Sequence, residues 1–430
     1  MSSDFPDAGA SVFAHPDLRR YLASRFVVGV AVQVQTVAVG WQVFSVSGNP
    51  FDLGLVALSQ FLPFIVLILP AGHVADRYDR RRVQLLTYAL LATCAVILLV
   101  LSLARVTDLV PVFAVMVLFG IARAFNQPTG QALLPNLAPL GLFPRAVAVN
   151  STLGQVAMIA GPAVGGALVL FGVEVAYALS AVLLVAGTLI VTTLRGGGRG
   201  DMAREPVSWT TLLSGITFVR SRPIVLGSIS LDLFAVLFGG ATALLPFYAG
   251  EILDVGPAGL GVMRAAPAVG AALLAAAIAV RPIHGAVGRW MFGGVFAFGV
   301  ATIVFGLSTS LALSLAALVV MGAGDMVSVY IRHLLVQLET PDQIRGRVSA
   351  VNSVFIGASN ELGEFESGVT AAWWGVVPAV VVGGAATMLV AAVWTRLFPV
   401  LWRLDRFQDA PRPAESETDG PEGIGARIGR

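Results

Sequence analysis

The sequence predicts an all-α membrane protein: twelve transmembrane helices in two six-helix bundles related by a pseudo-two-fold axis. Three observations carry this. Of the 430 residues, 57% are hydrophobic and the mean hydropathy is +0.84, far beyond what a soluble globular chain of this length carries. Crossing a hydrocarbon core of about 30 Å takes about 20 helical residues, and about a dozen apolar runs of that length follow one another along the chain. Finally, RAVAVNS at 145–151 returns as RVSAVNS at 347–353, 202 positions on, and the same ungapped offset pairs Leu133 with Leu335, Pro139 with Pro341, Gly161 with Gly363 and Gly166 with Gly368. The chain reads as a duplication. Its runs do not alternate apolar and polar residues, which excludes a transmembrane β-barrel.

Residues 1–23, beginning MSSDFPDAGASVF, form an N-terminal segment without the basic-then-apolar layout of a signal peptide, so the first span is expected to stay attached. The first bundle, 24–194, holds spans at 24–46, 51–72, 83–105, 110–134, 146–171 and 174–194. Spans 1 and 2 contribute Gln33, Gln35, Gln42 and Gln60, uncharged groups able to hydrogen-bond a ligand. Span 3 holds the only cysteine, Cys94, which excludes an internal disulfide and is read as packing. Span 4 carries Arg123. In span 5, GPAVGG at 161–166 supplies Gly161, Gly165 and Gly166 for close helix approach, while Pro162 removes a backbone donor and bends the helix.

The joint between bundles, 195–223, opens with the basic, flexible run RGGGRGD. Trp209, Leu212, Leu213, Ile216 and Val219 then recur at helical spacing, with Ser208 as cap and Pro223 as terminator, predicting an amphipathic helix on the membrane surface.

The second bundle, 224–403, holds spans at 224–248, 256–280, 288–307, 311–336, 346–374 and 376–402. It also holds most of the intramembrane charge. Asp232 lies in span 7, Arg264 in span 8, Asp325 and Arg332 in span 10, and SNELGEFESG at 359–368 places Glu361, Glu364 and Glu366 in span 11 of a chain that is only 12% charged. The repeat serves as a control: the glycines of spans 5 and 11 match, whereas Ile159, Pro162 and Val164 correspond to the three glutamates, and Arg123 corresponds to Asp325. A charge at the bilayer centre costs about 2.5–3.5 kcal/mol on insertion scales. Each acid must therefore be protonated, paired with arginine, or open to a wet cavity. Glu361 and Glu364 share a helix face, and Glu366 lies about 160° from Glu364. The expected proton-coupling set is Asp232, Asp325, Glu361 and Glu364; the expected substrate cavity is lined by Gln33, Gln60, Arg123, Arg264 and Asn360. Arg332 and Glu366 read as structural. Residues 404–430, rich in Pro, Gly and acids, are expected to form a disordered tail.

Every one of the 27 basic residues is arginine. With the N-terminus inside, the inner loops hold Arg77, Arg80, Arg81, Arg82, Arg145 and the arginines of the joint, against Arg105 outside, so both termini are expected on the cytoplasmic face of the cell's inner (plasma) membrane. The four histidines lack ligand spacing, so no metal site is expected. No catalytic constellation or phosphate-binding loop is present, which argues against an enzyme or an ATP-driven pump; no nucleic-acid partner is expected.

Between spans 2 and 3 stands GHVADRYDRRR, Gly72 to Arg82. It resembles the signature loop of the major facilitator superfamily. RAFNQP in span 4, GPAVGG in span 5 and SNELGEFESG in span 11 resemble that superfamily's proton-coupled exporter branch, which includes enterobactin and multidrug exporters, and the resemblance covers nearly the whole chain. It implies alternating access, a proton gradient rather than a cofactor as energy source, and export of an amphipathic drug, siderophore or natural product; one duplicated chain is enough for transport, so a monomer is expected. It also implies that Gly72, Asp76, Arg77, Arg80 and Arg81 form a conformational latch between the bundles. Two positions depart from the family pattern: Asp79 and Ala157 stand where Gly is usual, and at Asp79 a turn, even a left-handed one, is expected to accommodate the residue. A facilitator or importer of a nutrient, and a non-transporting scaffold or sensor, remain as alternatives.

Overall fold

A computed structural model describes residues 11–196, 216–341 and 344–407, apart from the side chains of Leu69, Asp76, Leu140, Arg345, Arg347, Ser349 and Ala350. Its long helices are α1 (Pro16–Ser47), α2 (Pro50–Arg77), α3 (Arg80–Leu103), α4 (Val110–Leu137), α5 (Phe143–Val169), α6 (Val173–Thr192), α7 (Pro223–Phe238), α8 (Gly256–Val280), α9 (Val287–Leu307), α10 (Leu311–Glu339), α11 (Arg345–Trp374) and α12 (Val376–Leu397). Proline opens α1, α2 and α7 at the position where a missing N–H costs nothing. Gly172 and Gly375, at φ 117° and 91°, make the tight turns into α6 and α12 that a side chain would strain. The repeat is visible in the element ends: α5 and α11 start at Phe143 and Arg345, and α4 and α10 end at Leu137 and Glu339, both 202 apart.

Among the described residues eleven helices, α7 taken with its continuation to Ile252, are long and apolar enough to cross a membrane. The twelfth, α11, has 30 residues, but its glutamates and asparagines lower its apolarity. It is sheltered between α2, α7 and α12.

Three expectations are corrected. Span 7 is not one regular helix: α7 stops at Gly239 and continues as a 3-10 turn (Ala241–Leu244) and a π turn (Tyr248–Ile252). The break coincides with close packing that requires glycine: a Cβ on Gly240 would strike the Gly363 carbonyl of α11 and one on Gly239 the Phe298 ring. The N-terminal segment is shorter than the expected 1–23, because α1 already begins at Pro16. At the described end of the joint, 216–221, Val219 packs into an apolar cluster with Val225, Val336 and Val348, against which Ile216 also rests. Ser208, Trp209, Leu212 and Leu213 lie outside the described residues. The tail begins later than expected, because Leu404 and Asp405 cap α9: their carbonyls accept from Gly288 N (2.9 Å) and Val287 N (3.1 Å), and the Asp405 carboxylate accepts from Ala286 N at 2.9 Å. Residues 408–430 lie outside the described part.

In the first bundle α1 packs on α5 and α6, α2 on α4, and α3 on α4 and α6; in the second α8 and α9 pack on α10, and α7 and α9 on α12. The bundles meet along α2 with α11 and α5 with α8. Both seams rest on glycine at the end of the molecule away from the 72–82 loop. A Cβ on Gly166 would lie 2.5 Å from the Pro257 carbonyl and 2.7 Å from Gly261 Cα; a Cβ on Gly368 would lie 2.8 Å from Gly54 Cα and 2.9 Å from the Pro50 carbonyl. Backbone cannot yield as a side-chain tip can. Gly161 and Gly165 instead press on Gln33 and Val34 of α1, so GPAVGG splits its glycines between packing within a bundle and packing across bundles.

Gly166→Val and Gly368→Val are therefore expected to hold the seam apart and lower transport about tenfold or more, the factor about 1.4 kcal/mol represents. Gly154→Ala is the control, because nothing lies within 4 Å of its Cβ position. Equal transport rates in all three variants would refute a requirement for close backbone contact.

Candidate functional site

Gly363 sets the rotation of α11. A Cβ there would meet the carbonyls of Val236 and Leu237 at 2.7 and 3.0 Å, so this edge faces α7. Each residue turns a helix by about 100°, which swings Glu361 about 160° away, toward the first bundle. There its Oε1 accepts a hydrogen bond from Arg123 Nη1 of α4 at 2.6 Å, and the same nitrogen donates to Gln60 Oε1 of α2 at 3.3 Å. The Phe64 ring lies 5.8 Å from the guanidinium carbon, within cation–π range. The pair ties one bundle to the other. It is not dry: the Glu361 side chain is 13% exposed and that of Arg123 40%.

A second cross-bundle contact runs the other way. Arg264 of α8 donates from Nη1 to the Thr36 carbonyl of α1 at 3.4 Å and lies within electrostatic reach of Glu364 and Glu361. Two arginines and two glutamates thus balance one another where the bundles face. Asn360, exposed one turn before Glu364, donates from Nδ2 to the Ile356 carbonyl at 2.9 Å. Gln33 is half-buried at the crossing of α1 and α5, its Cβ beside Gly161.

The four acids expected as one set fall into two groups. Asp232 of α7 is ion-paired with Arg332 of α10 inside the second bundle, with side chains 5% and 2% exposed. Asp325 shares a small cavity there with Asp232, Ser328 and Phe298, within electrostatic reach of Asp232 and Arg332. Two carboxylates meet one guanidinium, which leaves the cluster one proton short of neutrality. Glu366 is half-buried without a side-chain partner among the described residues.

Two of the glutamines read as able to hydrogen-bond a ligand are engaged inside the first bundle. Gln42 Oε1 accepts from the Tyr177 hydroxyl at 2.5 Å, and Gln35 Oε1 accepts from Ser180 Oγ at 3.4 Å, both buried against α6. Other polar contacts escaped the sequence reading: Gln84 Nε2 donates to Asn126 Oδ1 at 2.6 Å, and the Tyr21 hydroxyl to the Gly130 carbonyl at 2.6 Å. A polar residue inside an apolar run was the available signal, but it does not say which neighbour is met.

In the signature loop, Gly72 and residues through Arg77 continue α2. Arg80 donates to the carbonyls of Ala75 (3.1 Å) and Ala132 (3.3 Å), and Arg81 to that of Leu194, so both hold helix C-terminal ends within the first bundle, where cations are favoured. Arg77 is exposed, and the Asp76 side chain lies outside the described part. Asp79 needs no left-handed turn: at φ −60° it caps α3, its carboxylate accepting from Arg81 N at 2.9 Å and Arg82 N at 3.4 Å. That cap is what lets Asp stand at this position.

A family model described as transmembrane secretion effector matches residues 11–415. The multidrug efflux pump Tap of Mycolicibacterium fortuitum is 27% identical over 357 residues, covering 80% of this chain and 86% of Tap. The enterobactin exporter EntS of Escherichia coli O157:H7 is 25% identical over 413 residues, covering 94% and 96%. Among solved structures, a bacterial homologue of the human lysosomal transporter Spinster superposes with a TM-score of 0.71 at 16% identity, covering 94% of this chain and 100% of that one. The nucleoside transporter NupG bearing a D323A substitution gives a TM-score of 0.70 at 14% identity, covering 89% and 99%. At such identities the structural likeness speaks for the fold.

Proposed function

The chain belongs to the transmembrane secretion effector family of the major facilitator superfamily, a multi-pass membrane transporter rather than an enzyme, and from that premise we propose that it exports an amphipathic small molecule by proton antiport with alternating access. The observation that carries this reading is the Arg123–Glu361 pair, a charge contact joining the two bundles that has to open when they rock apart. Glu361 and Glu364 take protons from one side and release them on the other, while Arg123 and Arg264 supply the counter-charge in the empty carrier. A substrate that competes with protons for these glutamates moves against them. Such a substrate brings positive charge or hydrogen-bond donors to the carboxylates, which fits an amphipathic cation. An anion would displace Glu361 from Arg123, leave the glutamate to take up a proton, and so travel with the proton.

The relatives described as a multidrug efflux pump and an enterobactin exporter support the outward direction. Arginine crowding at the 72–82 end supports placing that end, and both termini, on the cytoplasmic side of the inner membrane. Asp232 and Asp325, beside Arg332 in the second bundle, complete the acid set of this scheme. No cofactor takes part in this scheme: a membrane potential alone supplies about 2.3 kcal/mol per charge per 100 mV. In inverted vesicles carrying the full chain, a panel of amphipathic cations, ethidium among them, is expected to accumulate when the interior is acid and to leak out when pH gradient and potential are collapsed. Equal transport with both collapsed would identify a facilitator and overturn antiport.

A further inference from the structure

Away from the cross-bundle charges, a cavity of about 480 Å³ opens on the outer flank of the second bundle between α8, α9 and α10. That volume falls within the range of about 300–1,000 Å³ typical of small-ligand sites. Its wall is made by Leu274 of α8, Gly293 and Ala297 of α9, and Val327 of α10, with Arg289 and Trp290 in the first turn of α9. At 1.5 Å per residue, Gly293 lies about 6 Å and Ala297 about 12 Å deeper along α9 than Arg289. The groove therefore runs inward from the end of the helix, with a cation and an indole at its mouth and bare hydrocarbon beyond. Arg289 and Trp290 are both exposed, and Arg289 has no ion-pair partner among the described residues. No acidic residue lines the groove. Asp405, in the segment that caps α9, is held by the Ala286 N–H at 2.9 Å and lies 3.9 Å from Arg406 Nε.

We propose that this groove binds one anionic glycerophospholipid of the surrounding bilayer, with an acyl chain laid over Gly293 and Ala297 and the phosphate on the Arg289 guanidinium. The order of chemistry along the groove matches that of a lipid: charge at the surface, aromatic ring at the interface, apolar wall inside. A soluble metabolite would need polar groups deeper in, and a partner helix would need far more than one groove of this volume.

The test is native mass spectrometry of the full chain titrated with phosphatidylglycerol or phosphatidylethanolamine in detergent. The wild type is expected to retain one phosphatidylglycerol per chain and to prefer it about fivefold, the factor one basic side chain at a membrane surface provides. Gly293→Leu fills the groove, and the space at that Cβ is open, so the fold tolerates it; retention is expected to vanish. Arg289→Gln, on an exposed side chain, is expected to erase the preference while leaving weak retention of both lipids. The proposal is overturned if Gly293→Leu, verified as folded by its melting temperature, retains the lipid as the wild type does. It is equally overturned if Arg289→Gln keeps the preference, and that arm decides alone should Gly293→Leu fail to fold.

Discussion

Glu361→Gln is expected to cut proton-driven transport about tenfold or more while ligand still binds, about 1.4 kcal/mol or more of lost coupling. The amide keeps the shape of the side chain but neither carries a proton nor attracts Arg123 as a carboxylate does. The cost to folding is expected to be small, under about 1 kcal/mol, because the 40% exposed guanidinium is solvated once its partner is gone. Arg123 also keeps its contacts with Gln60 and Phe64. A charge exchange, Arg123→Glu with Glu361→Arg, separates two roles for the pair. If attraction between the bundles is all that matters, the exchange restores transport. If the carboxylate on α11 has to take up the proton, transport stays low although the attraction is back. Vesicle uptake driven by a pH gradient measures both variants, and wild-type rates in Glu361→Gln would remove this residue from the coupling scheme.

Asp232→Asn is expected to be among the most destabilising single changes in the chain, because the Asp232–Arg332 pair is nearly sealed, with side chains 5% and 2% exposed. Removing one member of a buried pair leaves the other uncompensated and costs about 3–5 kcal/mol. Arg332 Nε is already without a hydrogen-bond partner, so little remains to solvate the guanidinium. Asp325 in the same cavity is placed to take over part of the role. The double variant Asp232→Asn with Asp325→Asn is therefore expected to unfold in milder denaturant than either single one. Replacing both members of the pair, Asp232→Leu with Arg332→Met, is expected to recover much of the loss. Denaturation midpoints in detergent rank the set. Should Asp232→Asn match the wild type, the pair is not what holds α7 to α10.

Much of the architecture was legible in the chain itself. Hydropathy over about 20 residues is a local property, and so is a turn glycine; these determined how many long helices there are and that the two halves repeat, although α1 begins at Pro16, ahead of the apolar run expected from 24. The same local reading singled out Asp232, Asp325, Arg332 and the glutamates of α11, but not Glu339, which is buried as well. It could not tell Gln60, which meets Arg123, from Gln42, which is held by Tyr177, because both are glutamines in apolar runs. Nor did it reveal the break in α7, which lies where a carbonyl of α11 comes against Gly240. Only the tertiary structure decided that Arg123 meets Glu361, 238 positions away, and that Asp232 and Asp325 turn inward, apart from Glu361. Which charges pair depends on the rotation of each helix, and that rotation is set by bare glycine contacts between backbones distant in sequence, which no single stretch of residues encodes.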